Sequence, residues 1–528
     1  MNRPAETLTM PNVIECINPA TGERLGEVPV DDVAAVRDKI ARARAAQQVW
    51  AQTSFATRRA VLRDLLDHIL DHADDICRDI CADAGKTLEN AMMGEIWPVA
   101  EKLRWTIRNG ERYLRDERVS PGLFLHKKAR IEYHPLGVIG VIAPWNYPFQ
   151  NIMGPIIPAL MAGNACVVKV SEAVAWSSER FGKLLRDTFA AHDLPEDLVI
   201  IVQGYAETGR AVITEGSDLI VFTGSMPNGR KIIEASAERL VPVILELGGK
   251  DPMIICDDAD LDEAVHTAMS GVFIACGQNC LAAERILVMD GIYDAFVERV
   301  SEMARNLRQG PPLAGQTVDV GAIVSARQVE IIDELVQDAI ARGARVLAGG
   351  QRPTDSAGQF YPPTVLADVT DEMRIMHEET FGPVMVIRRV ADDEDAIRVA
   401  NAIDYGLASS VFSRDLKRAR RIARQIQAGA TCINDFGFTY MAQELPFGGV
   451  KGSGFGRLNG REGLRAMTNR KAVLDDRIPL HQPVKLFPVS DQTYDEAHAL
   501  IDLIYRRGLR AKVGALARMV RARFGGGS

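Results

Sequence analysis

The sequence predicts an α/β fold of two lobes, each built around a mostly parallel sheet, and three observations carry that prediction. From about residue 136 onward, short β-branched runs alternate with helix-length segments, the rhythm of successive β-α-β units. Residues 31–120 read instead as long amphipathic helices, with apolar positions three and four apart in "DDVAAVRDKIARARAAQQVW" and "RRAVLRDLLDHILDHADDICRDICADAG". The chain has 528 residues, 47% hydrophobic and 25% charged, ordinary for a globular protein and more than one core takes up.

Taken in order, the packing helices give way to strand rhythm at "KKARIEYHPLGVIGVIAPWN". Leu136 to Val168 holds no charged residue, a length that suggests a membrane span. Pro135, Pro144, Pro148, Pro155 and Pro158, with Asn146, Gln150, Asn151 and Asn164, argue against one, because an interrupted helix leaves its backbone unsatisfied in lipid. A buried strand, loop, helix and strand fits better. "ACVVKV", "LVIIVQG", "LIVFTGS" and "VPVILELGG" continue the first lobe. "PMIICDDA", "RILVMDG", "ARVLAGG", "VMVIRRV", "LASSVFS" and "ATCINDFG" form the second, and the lobes meet near "ELGGKDP".

Composition excludes several functions. Eight cysteines (16, 77, 81, 166, 256, 276, 280 and 432) include no CxxC pair, so reduced thiols are expected and neither a disulfide framework nor a metal site. Net charge is −8, yet residues 506–523 carry seven Lys or Arg and no acid, leaving the remainder near −15. An acidic body argues against nucleic acid as partner. No apolar h-region follows the start, so cytoplasmic residence is expected. The final GGGS is given no function.

Chemistry concentrates at a few positions. In "FIACGQNCLAAERI" a polar turn precedes Cys280, where a thiol can be exposed and backbone N–H groups can face a reacting oxygen; a buried, inert thiol is the commoner state of cysteine. Cys276 has the weaker claim. Glu246 interrupts an apolar strand before a Gly-Gly turn, as a poised base or as a structural carboxylate. Trp145 and Asn146 sit in "APWNYPFQN", where a buried amide could donate to an oxyanion. "FTGSMPNGRK" opens a helix with Gly224 and Gly229 five apart, suited to a diphosphate. "EETFGPV" and "PFGGVKGSGFGR" add a Glu beside a turn and a glycine-rich loop.

Together "PWNYP", "KVSE", "FTGS", "ELGGK", "GQNC", "EETFGPV" and "PFGGVKGSGFGR" resemble the NAD(P)-dependent aldehyde dehydrogenase superfamily, in order, from "INPATGERLGEVP" at residue 17 to "KAVL" at 474. The resemblance implies a Rossmann-type cofactor domain (1–126 and 145–247), an α/β catalytic domain (248–464), oligomerisation segments (127–144 and 465–480) and an extension (481–528). It implies Cys280 as the nucleophile that attacks a small-molecule aldehyde, Asn146 and the Cys280 N–H as oxyanion donors, and Glu246 as the base that activates water to hydrolyse the thioester. It places Lys169 and Glu172 on the adenine ribose, Trp145 and Ser225 near the diphosphate, with Gly224 and Gly229, and Glu379 on the nicotinamide ribose, beside Phe381. Glu172 favours NAD, with NADP a poorer substitute, because a carboxylate repels a 2′-phosphate. A homodimer or homotetramer is implied. A CoA-acylating dehydrogenase and a non-catalytic relative are the alternatives.

Two departures stand out. Ala275 occupies a position where many relatives have Asn, and the chain past 480 resembles a branch found in plants, fungi and bacteria that runs beyond the usual end. There, "ALIDLIYRRGLRAKVGALARMVRARF" reads as a basic amphipathic helix. Leu509, Val513, Leu516, Val520 and Phe524 form its stripe, and Arg506, Arg507, Arg510, Arg518 and Arg521 lie beside or opposite. Such a helix packs on protein or lies on an anionic membrane through 500–524, in which case lipophilic aldehydes become the better substrate guess.

Overall fold

The computed structural model describes residues 12–354, 356–479, 487–489 and 491–524; the GGGS tail lies outside them. A hairpin of β1 (Val13–Ile17) and β2 (Arg24–Pro29) precedes the amphipathic helices Val33–Trp50, Phe55–Asp71, Ala73–Ala84 and Trp97–Leu114. Asp32 and Ser54 start the first two of these by accepting from backbone N–H groups three residues on. The strands β3 (Glu117–Val119) and β4 (Lys127–Pro135) come next.

The first lobe follows as β5 (Val138–Ile142), β6 (Ala165–Lys169), β7 (Val199–Val202), β8 (Leu219–Thr223) and β9 (Val243–Glu246), all mutually parallel. The uncharged stretch is the strand, loop, helix (Pro148–Ala162) and strand expected of it, and Gly163 closes the helix in the left-handed region. β5 and β6 are buried at every position, which is why this stretch needs no polar alternation.

The second lobe runs through β10 (Pro252–Ile255), β11 (Arg285–Met289), β12 (Arg345–Ala348), β13 (Thr364–Ala367), β14 (Val384–Val390), β15 (Ser410–Phe412) and β16 (Cys432–Ile433). Their spatial order is β12-β13-β14-β11-β10-β15-β16, with only the β12–β13 pair antiparallel. Two separate apolar cores result, one around the first sheet and one around the second. β17 (Gly454–Phe455) then joins the first sheet antiparallel to β9, with Gly454 opposite Glu246. The glycine-rich "PFGGVKGSGFGR" is thus not all loop: its Gly454 and Phe455 supply an edge strand beside the candidate base.

β18 (Thr468–Asp476) completes a three-stranded sheet in the order β18-β4-β3. Chain contacts divide the molecule into residues 1–117 with 131–471, and 118–130 with 472–528. In the smaller unit Lys127 and Arg130 meet Asp476 and Asp475 across β4 and β18.

The tail differs from the expected helix. It folds as two helices, Asp491–Tyr505 and Leu509–Phe524, packed on each other and broken at Gly508 (φ +94°). Arg506 and Arg507 therefore stand in the connecting turn, not on a helical face. Ala499 and Ala515 are fully buried where the helices approach, and buried Asp502 accepts from Arg506 Nε (2.8 Å) and Arg518 Nη2 (2.5 Å). Leu509, Val513, Leu516 and Val520 are 48% to 80% exposed, while the Phe524 side chain lies outside the described residues. Among the described residues no helix is long and apolar enough to cross a membrane.

Candidate active site

In the first sheet, of order β17-β9-β8-β5-β6-β7, the chain runs outward from β5 in one direction through β6 and β7, then returns to the other side for β8 and β9. The crevice beyond the carboxyl ends of β5 and β8 is therefore the switch point where open α/β sheets bind ligands. Trp145 and Asn146 follow β5, Lys169 ends β6, Gly224 and Ser225 follow β8, and Glu246 ends β9. The sheet alone gathers these residues at one edge.

The second lobe contributes Cys280. The helix Leu261–Phe273, capped by Asp260, runs into Ala275, Cys276 and Gly277, all at positive φ. Such a path is strained for the two non-glycine residues. At Gly277 no side chain fits, since a Cβ would lie 2.0 Å from the Gly382 carbonyl oxygen. One local and three long-range bonds hold the turn: Gln278 Nε2 donates to Ala275 O within it, while Asn90 Oδ1 accepts from Ala275 N (2.7 Å), Gln278 Nε2 donates to Ala322 O and Gln278 Oε1 accepts from Val324 N. Cys280 is partly exposed, whereas Cys276 is buried with its sulfur 3.9 Å from Gln309 Nε2. The two thiols thus have different environments despite being four residues apart.

A cavity of about 490 Å³ opens onto Cys280 and Glu246. The Cys280 thiol and the Gly248 backbone N–H act to lower the Glu246 carboxyl, yet burial outweighs them and pushes it up to about 7, and its Oε1 has no hydrogen-bond partner. Burial, and then the carboxyls of Glu246, Asp251 and Glu379, raise the Cys280 thiol well above its usual range. A neutral thiol beside a carboxyl that ionises near neutrality can pass its proton to that carboxylate.

Asn146 is not part of the cavity lining, although its neighbours Tyr147, Gln150 and Asn151 are. Its Nδ2 donates to Gln278 O (3.1 Å), two residues before Cys280, and its Oδ1 accepts from Asn151 Nδ2 (3.2 Å). One of its amide protons is thereby tied to the nucleophile turn.

The remaining candidates fall into three groups. Lys169 Nζ and Glu172 Oε2 pair at 3.1 Å. Ser225 precedes the helix Met226–Ala237 without a side-chain cap bond, and Gly229 lies where a Cβ would meet Leu247 at 2.5 Å, which brings the helix close to the strand end. Glu379 Oε1 accepts from Gly249 N (3.0 Å), three residues from Glu246, and Phe381 meets the Trp145 ring edge-on at 5.4 Å.

Several residues at the site escaped the sequence reading. Lys86 and Glu95 form a fully buried pair (2.8 Å), with Lys86 Nζ 3.3 Å from the centre of the Tyr147 ring; Glu95 Oε2 accepts from Phe149 N and Gln150 N at the start of the helix behind Asn146. Glu284, behind the nucleophile, accepts from Thr380 N, Phe381 N and Lys250 Nζ, and so braces the loop that carries Glu379. Lys102 lines the cavity from the helix Trp97–Leu114. Its signal was legible, since it shares the apolar face of that helix with Val99, Leu103 and Thr106.

Residues 7–473 match the family model described as the aldehyde dehydrogenase family. An aldehyde dehydrogenase-like protein of Saccharomyces cerevisiae is 42% identical over 487 residues, 89% of this chain and 75% of that one. The 4,4'-diapolycopene aldehyde oxidase of a Methylomonas species is 38% identical over 494 residues, 93% of this chain and 91% of that one. Among solved structures, betaine aldehyde dehydrogenase of Staphylococcus aureus in complex with NAD+ superposes with a TM-score of 0.84 at 31% identity, covering 90% of this chain and 94% of that chain.

Proposed function

The chain belongs to the aldehyde dehydrogenase family, and on that premise we propose that it oxidises an aldehyde carried on an apolar chain to the carboxylic acid with NAD, through Cys280. The observation that carries this reading is the meeting of the Cys280 thiol and the Glu246 carboxyl in one desolvated cavity.

Glu246 takes the thiol proton, and the sulfur attacks the aldehyde carbon, forming the C–S bond as the carbonyl electrons move to oxygen. The Cys280 N–H and Asn146 are the donors for that oxygen, Asn146 Nδ2 having a second proton beside the one given to Gln278 O. The nicotinamide of the dinucleotide, when bound, supplies the hydride acceptor that oxidation of the thiohemiacetal to a thioester requires. Glu246 releases the thiol's proton to solvent and then accepts a proton from the water that attacks the thioester carbon; the C–S bond breaks as that proton passes to the sulfur, and the acid leaves with the thiol restored. The same Glu246 argues against transfer to CoA, since a base poised beside the nucleophile serves water.

Support for a dinucleotide comes from the switch-point crevice, the uncapped helix start at Ser225 and the close approach at Gly229. Trp145, Lys169, Glu172, Gly224, Ser225, Glu379 and Phe381 are the residues that would hold it, with Glu172 selecting NAD over NADP by charge. An apolar substrate is supported by Met93, Trp97, Ile274, Phe438, Met441 and Phe447 in the cavity wall. Assembly into a homodimer or homotetramer through the edge of the β18-β4-β3 sheet, and contact of the exposed C-terminal stripe with an anionic membrane surface, belong to the same proposal.

The test is an NADH-forming screen over aliphatic, aromatic and charged aldehydes, run with the parent and Cys280→Ala. The variant should lose turnover by about a thousandfold or more while still binding NAD. Oxidation that persists in Cys280→Ala would remove the assignment.

A further inference from the structure

Lys102 is 4% exposed, and its Nζ has one hydrogen bond, to Asn459 Oδ1 at 2.5 Å. Among the described residues no carboxylate lies within ion-pair distance of it, in contrast to buried Lys86 and Lys250, which pair with Glu95 and Glu284. It faces the main cavity and also a small recess with Trp105, Pro158 and Asn459 that neither Cys280 nor Glu246 reaches. The amine is thus set apart from the reacting pair.

The elements around it offer little charge. Tyr440 presents its ring 5.9 Å from Nζ, and burial holds that phenol above its usual range. The helix Pro148–Ala162 carries no ionisable side chain. Glu444 is engaged by Trp105 Nε1 and the Tyr113 hydroxyl, Arg465 by Glu117 and the Tyr113 carbonyl, and Glu101 by Arg104. Burial alone pushes Lys102 down to about 7. A buried amine without a counter-charge costs stability, and an anion delivered by a ligand supplies what is missing.

We propose that Lys102 is a specificity-determining residue that binds a carboxylate at the end of the aldehyde substrate remote from its formyl group, with the apolar wall holding the chain between. This rests on the reading of the cavity as an aldehyde site. The preferred substrate is then an ω-carboxy aldehyde, and its binding draws a proton onto Lys102.

The experiment compares kcat/KM for octanal and 8-oxooctanoate at about pH 6 and pH 9 in the parent, Lys102→Met and Lys102→Arg. The parent should favour 8-oxooctanoate, with the ratio of the two falling about tenfold or more as pH rises through the lysine's titration. Lys102→Met should lose at least about tenfold more on 8-oxooctanoate than on octanal, and Lys102→Arg should keep the preference without its pH dependence. Equal losses on both aldehydes in Lys102→Met, or a parent that prefers octanal at pH 6, would overturn the proposal. Octanoate binding read by tryptophan fluorescence needs no turnover: weakening at high pH in the parent and in Lys102→Met supports the subsite even if no aldehyde is oxidised, and indifference to both sinks it. Absent turnover of either aldehyde counts against the oxidation reading alone.

Discussion

Lys86 and Lys102 are both buried lysines near the same cavity, and their charges are handled differently. Lys86 has a carboxylate at 2.8 Å, and that carboxylate is itself bonded to two backbone N–H groups; Lys102 has a neutral amide and an aromatic ring. The same division runs through the acids, since Glu284 accepts three bonds whereas Glu246 keeps an oxygen unpartnered. At these four residues the framework pairs are complete, and the two that line the cavity keep capacity for something absent from the fold.

The sharpest way to break this comparison is to unpair the framework. Lys86→Met leaves Glu95 buried without its cation and should destabilise the protein by about 3–5 kcal/mol, a shift measurable by thermal unfolding. Lys86→Met with Glu95→Leu should recover a large part of that loss, because no charge is then stranded. A double variant as unstable as the single one would show that the pair serves packing rather than charge.

Removing the unpaired acid should have the opposite sign. Glu246 is raised from 4.5 to about 7 on folding, so the folded chain holds an extra proton between those values and stability falls as pH rises through them. Glu246→Gln should therefore gain about 1–3 kcal/mol over the parent near pH 8 and little near pH 4. Its turnover should show a burst of NADH near one per site and then a slow phase, because hydrolysis loses its base. A parent stability profile flat from pH 4 to 8, coinciding with the variant's, would contradict the desolvated state assigned to this carboxyl.

Asp502 in the C-terminal hairpin lies between these cases, buried yet paired with two arginines that reach solvent. Asp502→Asn should cost about 1–3 kcal/mol in the hairpin, read as faster amide exchange in 491–524, with the cavity unaffected. The smallest effect is expected at Lys169 and Glu172, since Glu172 is well exposed. Glu172→Ser should change stability by no more than about 1 kcal/mol while relaxing the preference for NAD over NADP, measured as the ratio of kcat/KM. An unchanged ratio would remove Glu172 from cofactor selection.

Strands and helices of both lobes were legible because their signals are local, as in the fully buried β5 and β6 or the amphipathic helices Val33–Trp50 and Phe55–Asp71. β13 was missed inside a proline-rich stretch, and β17 because two residues, one a glycine, form a strand only by lying against Glu246. The break at Gly508 had a local signal, a glycine after two arginines, which the continuity of the apolar stripe masked.

By itself the sequence determined the alternation that makes two parallel sheets, and it marked Cys280 and Glu246, because a polar turn and an acid ending an apolar strand are visible within a few residues. Only the tertiary structure decided which charges are neutralised. Lys86 finds Glu95 nine residues on, but Glu284 meets Lys250 and the loop at 380 across separate elements, and Lys102 meets Asn459 from the far end of the chain. A lysine on an apolar helical face looks the same in sequence whether a carboxylate or an open cavity stands opposite, since the energy of a buried charge depends on partners that the chain brings near only when it folds.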